Sequence, residues 1–303
     1  MLYVVNKICF TGVFMKKAVF KLAVLGLVLG TVSGCSSAGK WNEKSAVTVI
    51  SREDGSGTRG AFIELFGVEQ KNSGGQKIDC TTQEAIITNS TAVMLTSVAG
   101  DAYSIGYVSL GSLNSSVKAL KIDGADATVE NIKNGSYKIS RPFEIVAKEP
   151  LSESAQDFVR FVLSSAGQKT VEDNKYISVS GGEFVSAQPD EKVVVVGSSS
   201  VSPVMEKLIE QYKTVNPNAK IELQTNDSTT GITNAANGMC DIAMSSRVLK
   251  ESEKEKGLEE MTIAIDGIAV IVNKKNPVSD INKNGVRDVY IGKITKWNEL
   301  LEK

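Results

Sequence analysis

The chain has 303 residues, 42% of them apolar, and a formal net charge of −1. That length predicts two domains or lobes with substantial cores, and the charge balance gives no general attraction for nucleic acid or an anionic membrane surface. There is no histidine, which removes Ser-His-Asp chemistry, Cys-His chemistry and histidine metal sites in one step; neither a metal nor a cofactor is expected.

The amino terminus reads as a targeting segment. Met15-Lys16-Lys17 opens a basic region, Leu22 to Val32 is apolar, and small residues follow, a secretory pattern too short for a spanning helix. Val32-Ser33-Gly34-Cys35 is similar to a bacterial lipobox, which implies a lipidated Cys35 and a signal segment over 1–35; because the secretory pattern itself opens at Met15, residues 1–14 are expected to be an upstream extension of a chain that starts there. Stable anchoring then needs the several acyl chains such lipoproteins carry. Of the four cysteines, only Cys80 and Cys240 belong to the mature body. Their spacing fits no metal motif; they either pair or serve as small apolar residues.

The mature chain opens on a β-branched strand, Val47 to Ile50, then Ser51-Arg52-Glu53-Asp54-Gly55-Ser56-Gly57-Thr58-Arg59, then a helix over Gly60 to Phe66. A strand, a glycine-broken loop and a helix start present free backbone N–H groups to an anion. Ser56 and Thr58 add hydroxyls, and Arg52 adds a fork of N–H donors. Asp54 is expected to accept the proton of a protonated anion, which favours phosphate over fully ionised sulfate. The loop is not a P-loop, since no Gly-Lys-Ser/Thr follows. Next come a polar loop over Lys71 to Lys77, a helix-like run over Thr82 to Val98, strands at Ser104–Leu110 and Lys118–Ile122, and a short helix at Thr128–Lys133. A strand at Phe143–Ala147 precedes an amphipathic helix pair over Ser152 to Asp173.

Ser178 to Lys192, with Gly181-Gly182 and Pro189, reads as a linker. Beyond it the strand–polar loop–helix pattern recurs: Val193–Val196, then Gly197-Ser198-Ser199-Ser200-Val201-Ser202-Pro203, then a helix over Val204–Val215. Pro203 sits where a helix start tolerates proline. A strand at Ile221–Gln224 leads to Asp227-Ser228-Thr229-Thr230-Gly231 and a helix over Ile232–Asn237; Asp241 to Arg247 is a strand ending in Ser245-Ser246. Thr262–Ile265 and Ile268–Val272, broken at Asp266-Gly267, read as a strand crossing between lobes. The alternation argues α/β with largely parallel sheets, whose ligands sit at the strands' carboxyl ends. Four such ends here carry Ser, Thr, Gly or Arg.

Ser51–Phe62, Gly197–Pro203, Asp227–Gly231, Asp241–Arg247 and Ala264–Asn273 resemble the phosphate-binding lipoproteins of bacterial phosphate ABC importers. The resemblance covers nearly the whole mature chain, but the order differs. In that family the Val-Gly-Ser segment comes first and the Asp-Gly-Ser-Gly-Thr loop follows a Gly-Lys-Ile-Thr-x-Trp-Asn segment. Here that segment, Gly292 to Glu299, ends the chain, and Lys40-Trp41-Asn42-Glu43 repeats Lys296-Trp297-Asn298-Glu299 across the seam. The expectation is a circularly permuted, two-lobed periplasmic-binding-protein-like fold of type II. One lobe is formed by 36–142 plus 268–303 and the other by 143–267, with linker 178–192 joining the old ends. The resemblance implies a phosphate site of Arg52, Asp54, Ser56, Gly57, Thr58, Ser199, Ser200, Val201, Ser228 and Ser246, with Asp266 a second candidate proton acceptor. It also implies an extracytoplasmic, lipid-anchored monomer that serves an importer's permease subunits and binds no nucleic acid. Another oxyanion as cargo and a non-transporting sensor or paralogue remain alternatives. An enzyme using Ser56 or Ser199 as nucleophile lacks an activating base, since no lysine sits in these loops.

Overall fold

The computed structural model describes residues 41–179 and 181–301; the expected signal segment and the Cys35 lipidation site lie outside them. Strand β1 (Thr48–Arg52) runs into helix α1 (Gly57–Phe66), which begins three residues earlier than its apolar pattern because Ser56 caps it, accepting from the Arg59 amide. The 71–77 loop is the turn of a hairpin, β2 (Glu69–Lys71) with β3 (Lys77–Asp79). The run over 82–98 is not one helix. Ile86 and Ile87 pair with β1 as strand β4 (Ile86–Thr88), and Ser90 then caps α2 (Thr91–Gly100). Two β-branched residues followed by a capping serine outweigh the helical spacing of the apolar residues around them.

Strands β5 (Ser104–Ser109), β6 (Val117–Ala119) and β7 (Lys121–Ile122) and helix α3 (Val129–Lys133) lead to β8 (Ser140–Lys148). Helices α4 (Glu153–Val162) and α5 (Ser165–Asp173) form the expected pair, capped by Ser152 and Ser164. The second set of alternating elements is β9 (Lys192–Ser198), α6 (Ser202–Val215), β10 (Lys220–Asn226), α7 (Ser228–Ala236), β11 (Ile242–Ser245) and the one-turn α8 (Glu251–Lys254). The 16-residue β12 (Leu258–Asn273) then crosses the molecule, and β13 (Asp280–Ile281), α9 (Lys283–Tyr290) and α10 (Trp297–Leu301) close the chain.

Nine strands share one curled sheet in the order β10-β9-β11-β8-β12-β5-β1-β4, with β6 also on β12. The outer strands on each side pair in parallel, as the alternation predicts, but the two central strands are antiparallel to each other and to their neighbours β11 and β5. That mixed centre is the correction to a largely parallel reading, and it follows from two strands that pass between lobes in opposite directions. The apolar cores separate along them. Phe62, Tyr107, Tyr137, Ile268, Val289 and Trp297 pack in one, while Phe143, Phe158, Val195, Leu208, Met244 and Ile263 pack in another. The two-lobed α/β fold is this arrangement.

Among its described residues, segment 178–192 carries no helix and reaches a strand only at Lys192, yet it is tied down. The buried Asp157 carboxylate accepts from Ser186 Oγ at 2.6 Å, the Ala187 amide at 3.2 Å and Tyr212 Oη at 2.8 Å, and Asn216 Nδ2 donates to the Pro189 carbonyl at 2.9 Å. Cys80 and Cys240 are free thiols, each half-buried. Among the described residues no helix is long and apolar enough to cross a membrane.

Glu144, on β8, is buried. One carboxyl oxygen accepts from Thr262 Oγ1 at 2.9 Å, and the other has no partner. Burial pushes this acid up from about 4.5 to about 7, with the Glu260 charge adding to the rise and the Thr262 bond opposing it. The folded state therefore binds a proton that the unfolded state has released, so stability falls as pH rises from about 4.5 through about 7. Glu144→Gln is expected to flatten that slope and raise the melting temperature at pH 8 but not at pH 4.5. Thermal unfolding at the two pH values checks it.

Candidate anion-binding site

Four helix N-termini converge where the two lobes meet: α1, α2, α6 and α7. Each start leaves backbone N–H groups without intrahelical partners and carries the positive end of the helix dipole. On α1, Gly57 and Thr58 supply the first-turn amides, and Gly57 is buried so closely that a Cβ there would lie 2.5 Å from Ser228 Oγ and 2.7 Å from Ser246 Oγ. Glycine is therefore required by close approach between lobes.

Side chains from both lobes interlock. Arg52, 2% exposed, donates from Nη2 to Ser199 Oγ at 3.1 Å and from Nη1 to Thr91 Oγ1 at 3.3 Å. Thr58 Oγ1 lies 2.8 Å from Ser200 Oγ and 3.5 Å from Ser246 Oγ, which in turn is 3.3 Å from Ser228 Oγ and accepts from Ser198 Oγ at 3.0 Å. The site is buried and rich in hydroxyl and amide donors, and burial strengthens hydrogen bonds to an anion. At the rim, Gly55 closes the first loop on α7: its carbonyl accepts from the Thr229 amide and from Thr229 Oγ1, each at 3.1 Å.

The structure brings together Arg52, Gly57, Thr58, Ser199, Ser200, Ser228 and Ser246. Ser56 is adjacent, but its oxygen is used in capping α1. Val201 is buried in the second lobe's core, with its amide bonded to the Ser198 carbonyl at 2.9 Å. Asp54 does not enter the site. Its side chain is 95% exposed and pairs with Arg59 Nη1 at 2.8 Å. Gly55 packs on α7, so the turn leaves the Asp54 side chain alone in solvent, and Arg59 reaches back to hold the carboxylate outside. The proton-acceptor role expected of Asp54 is corrected on this geometry.

Several contributors went unread in the sequence. Glu53, not Asp54, neutralises Arg52, through bonds of 2.7 Å from Nε and 2.6 Å from Nη2. Tyr107 accepts from the Arg52 amide at 3.1 Å and stacks on Phe62 at 3.9 Å, so it fixes the strand end that carries the arginine. Burial pushes its phenol up to about 12 and keeps it neutral. Thr91 opens α2. Arg141, on the crossing strand β8, donates from Nη1 to Thr58 Oγ1 and to the Ser246 carbonyl, both at 2.9 Å, and from Nη2 to Asp266 Oδ2 at 3.0 Å. Asp266 is thus bound to a guanidinium below the cluster. Burial raises its carboxyl and lowers Arg141, and each opposes the other's shift.

A family model described as the PBP superfamily domain matches residues 11–166 and 183–303, and the chain belongs to that superfamily of two-lobed binding proteins. Among its relatives is Phosphate-binding protein PstS 2 of Streptococcus agalactiae serotype V, 53% identical over 282 residues, which is 92% of this chain and 96% of the relative. PstS 2 of Streptococcus pneumoniae serotype 4 is 44% identical over 289 residues, 94% of this chain and 99% of that one. The crystal structure of a phosphate ABC transporter's phosphate-binding protein from S. pneumoniae TIGR4 is 45% identical, covers 84% of this chain and 100% of its own, and superposes with a TM-score of 0.66.

Proposed function

We propose that the protein captures extracytoplasmic inorganic phosphate between its lobes and delivers it to the permease of an ABC importer. The observation that carries this reading is the inter-lobe cluster in which Arg52 and the Ser199, Ser200, Thr58 and Ser246 hydroxyls meet at helix N-termini. The streptococcal relatives' names supply the anion and the transporter. Arg52, Ser56, Gly57, Thr58, Ser199, Ser200, Ser228 and Ser246 are the proposed binding residues, joined by Thr91 and Arg141. A binding role without catalysis is supported by the hydroxyls' partners, which are other hydroxyls, amides and guanidinium groups rather than a base able to activate a serine.

Lobe boundaries at 142/143 and 267/268 are supported by the way the two apolar cores divide. The permuted order is supported at the seam. Trp41 and Trp297 lie 5.8 Å apart, the Asn298 amide donates to the Glu43 carbonyl at 2.7 Å, and Ala46 bridges Lys296, so the first and last described segments occupy one place. Anchoring through Cys35 and a monomeric state complete the proposal. Titration calorimetry of the purified protein with phosphate is the test. Saturable 1:1 binding is expected, and absence of phosphate binding alongside binding of another oxyanion overturns the cargo.

A further inference from the structure

Arg52 reaches the cluster from the last residue of β1, where the sheet has stopped holding the strand on one side. On the β4 side the ladder runs to the end and pairs Arg52 with Thr88. On the β5 side it covers only Thr48 and Val49. Buried backbone groups that lose a ladder partner need another one, and beyond Val49 side chains supply it. Tyr290 Oη donates to the Ile50 carbonyl at 3.1 Å, Tyr107 Oη accepts from the Arg52 amide at 3.1 Å, and Arg59 Nη1 donates to the Arg52 carbonyl at 2.7 Å. On this side the Arg52 peptide groups are held by side chains rather than by a strand.

Arg59 is the charged member of the three, and it is firmly braced. It lies in the first turn of α1, with its side chain 13% exposed. Nε donates to Asp79 Oδ2 at 2.8 Å, and Asp79 Oδ1 is itself held by the Thr81 amide at 2.8 Å and by Thr81 Oγ1 at 2.6 Å. Nη1 also pairs with Asp54 at 2.8 Å. One rigid guanidinium fork therefore joins the β2–β3 hairpin, the turn after β1 and the Arg52 carbonyl. Among the described residues its polar contacts go to these three places and to none of the hydroxyls in the cluster.

We infer that Arg59 is a positioning residue for the anion cluster: by holding the Arg52 carbonyl it fixes where the Arg52 guanidinium points, and it acts on a bound anion through Arg52 alone. Hydrogen bonds weaken steeply once the donor swings off line. Freeing the Arg52 peptide therefore lowers what Nη1 and Nη2, both aimed into the cluster, can give a guest. The inference deepens the phosphate reading and rests on it for the affinity measurement below; the guanidinium signal needs no bound anion.

Nitrogen NMR of the Arg52 Nε–H group and phosphate calorimetry, both on Arg59→Gln, test it together. In the wild-type protein this N–H is buried and donates to Glu53 at 2.7 Å, so it gives a resolved signal in slow exchange with water. In Arg59→Gln that exchange is expected to run at least about tenfold faster, and phosphate affinity to fall about tenfold. Arg59→Gln/Asp54→Asn keeps the net charge of the wild type, and the same two changes are expected in it. An unchanged Arg52 signal overturns the inference whatever the affinity does. Wild-type affinity in the charge-balanced double variant also overturns it, because Arg59 then acts through its charge. If Arg59→Gln does not fold, Asp79→Asn keeps Arg59 and weakens the partner of its Nε. That variant is expected to speed the same exchange at least about threefold, and no change in it counts against the inference. Absence of phosphate binding by the wild-type protein overturns the phosphate reading and leaves the exchange measurement to decide the role of Arg59.

Discussion

Arg52→Ala is expected to weaken phosphate binding about 1,000-fold, a loss of about 4 kcal/mol, and to lower the melting temperature without ligand as well, because the guanidinium is buried and paired with Glu53. Charge-assisted hydrogen bonds contribute about 1.5–3 kcal/mol each, and Arg52 has Nη1 and Nη2 aimed into the cluster that spans both lobes. The truncation also strips Glu53 of its partner and leaves a carboxylate, 20% exposed, beside the incoming anion. The double variant Arg52→Ala/Glu53→Gln removes that repulsion and should recover roughly tenfold of the loss. Lys192→Ala is the control: its ammonium lies at the surface on Glu222, far along β9 from the cluster, and no change in affinity is expected. Calorimetry on the three variants checks all of it, and equal effects of Arg52→Ala and Lys192→Ala contradict the site.

How much of this the sequence carried depends on the range of each interaction. The loop from Arg52 to Thr58 and the serines at 198–200 were legible because strand, small polar loop and helix start are written in consecutive residues. Thr91 belongs to the same kind of junction, but Ile86 and Ile87 sit so close to the apolar face of α2 that strand and helix merged into one helical pattern, hiding the cap at Ser90. Arg141 gave no local signal at all. It lies in a strand, and its meaning comes from Asp266, 125 residues away, and from Thr58, 83 residues away. Asp54 failed for the opposite reason: its neighbours in sequence argued for the site, while the turn that makes Ser56 a helix cap turns the carboxylate outward. Both aspartates were judged on charge, and geometry gave each a guanidinium instead.

Arg141→Met is expected to cost about 3–5 kcal/mol of folding stability, because it leaves the wholly buried Asp266 carboxylate without its cation. Asp266→Leu should cost as much, stranding a guanidinium that is 4% exposed. The pair itself contributes much less than either single loss implies, since burying two charges consumes most of what their attraction returns. The double variant Arg141→Met/Asp266→Leu is therefore expected to regain much of the stability lost in the singles; the Phe143 ring, 4.9 Å from the guanidinium carbon, gives the new side chains one apolar wall. Binding should not recover with it. Without Arg141 Nη1, Thr58 Oγ1 loses the donor that fixes its lone pair, and the Ser246 carbonyl loses the clamp that holds the end of β11 against α1. An affinity about tenfold below wild type in a protein more stable than either single variant is the expected signature, consistent with about one lost charge-assisted bond. Wild-type affinity in that double variant confines Arg141 to holding the crossing strands together. A double variant as unstable as the singles instead means that the space cannot close over apolar side chains, and that the charges hold the two central strands in register.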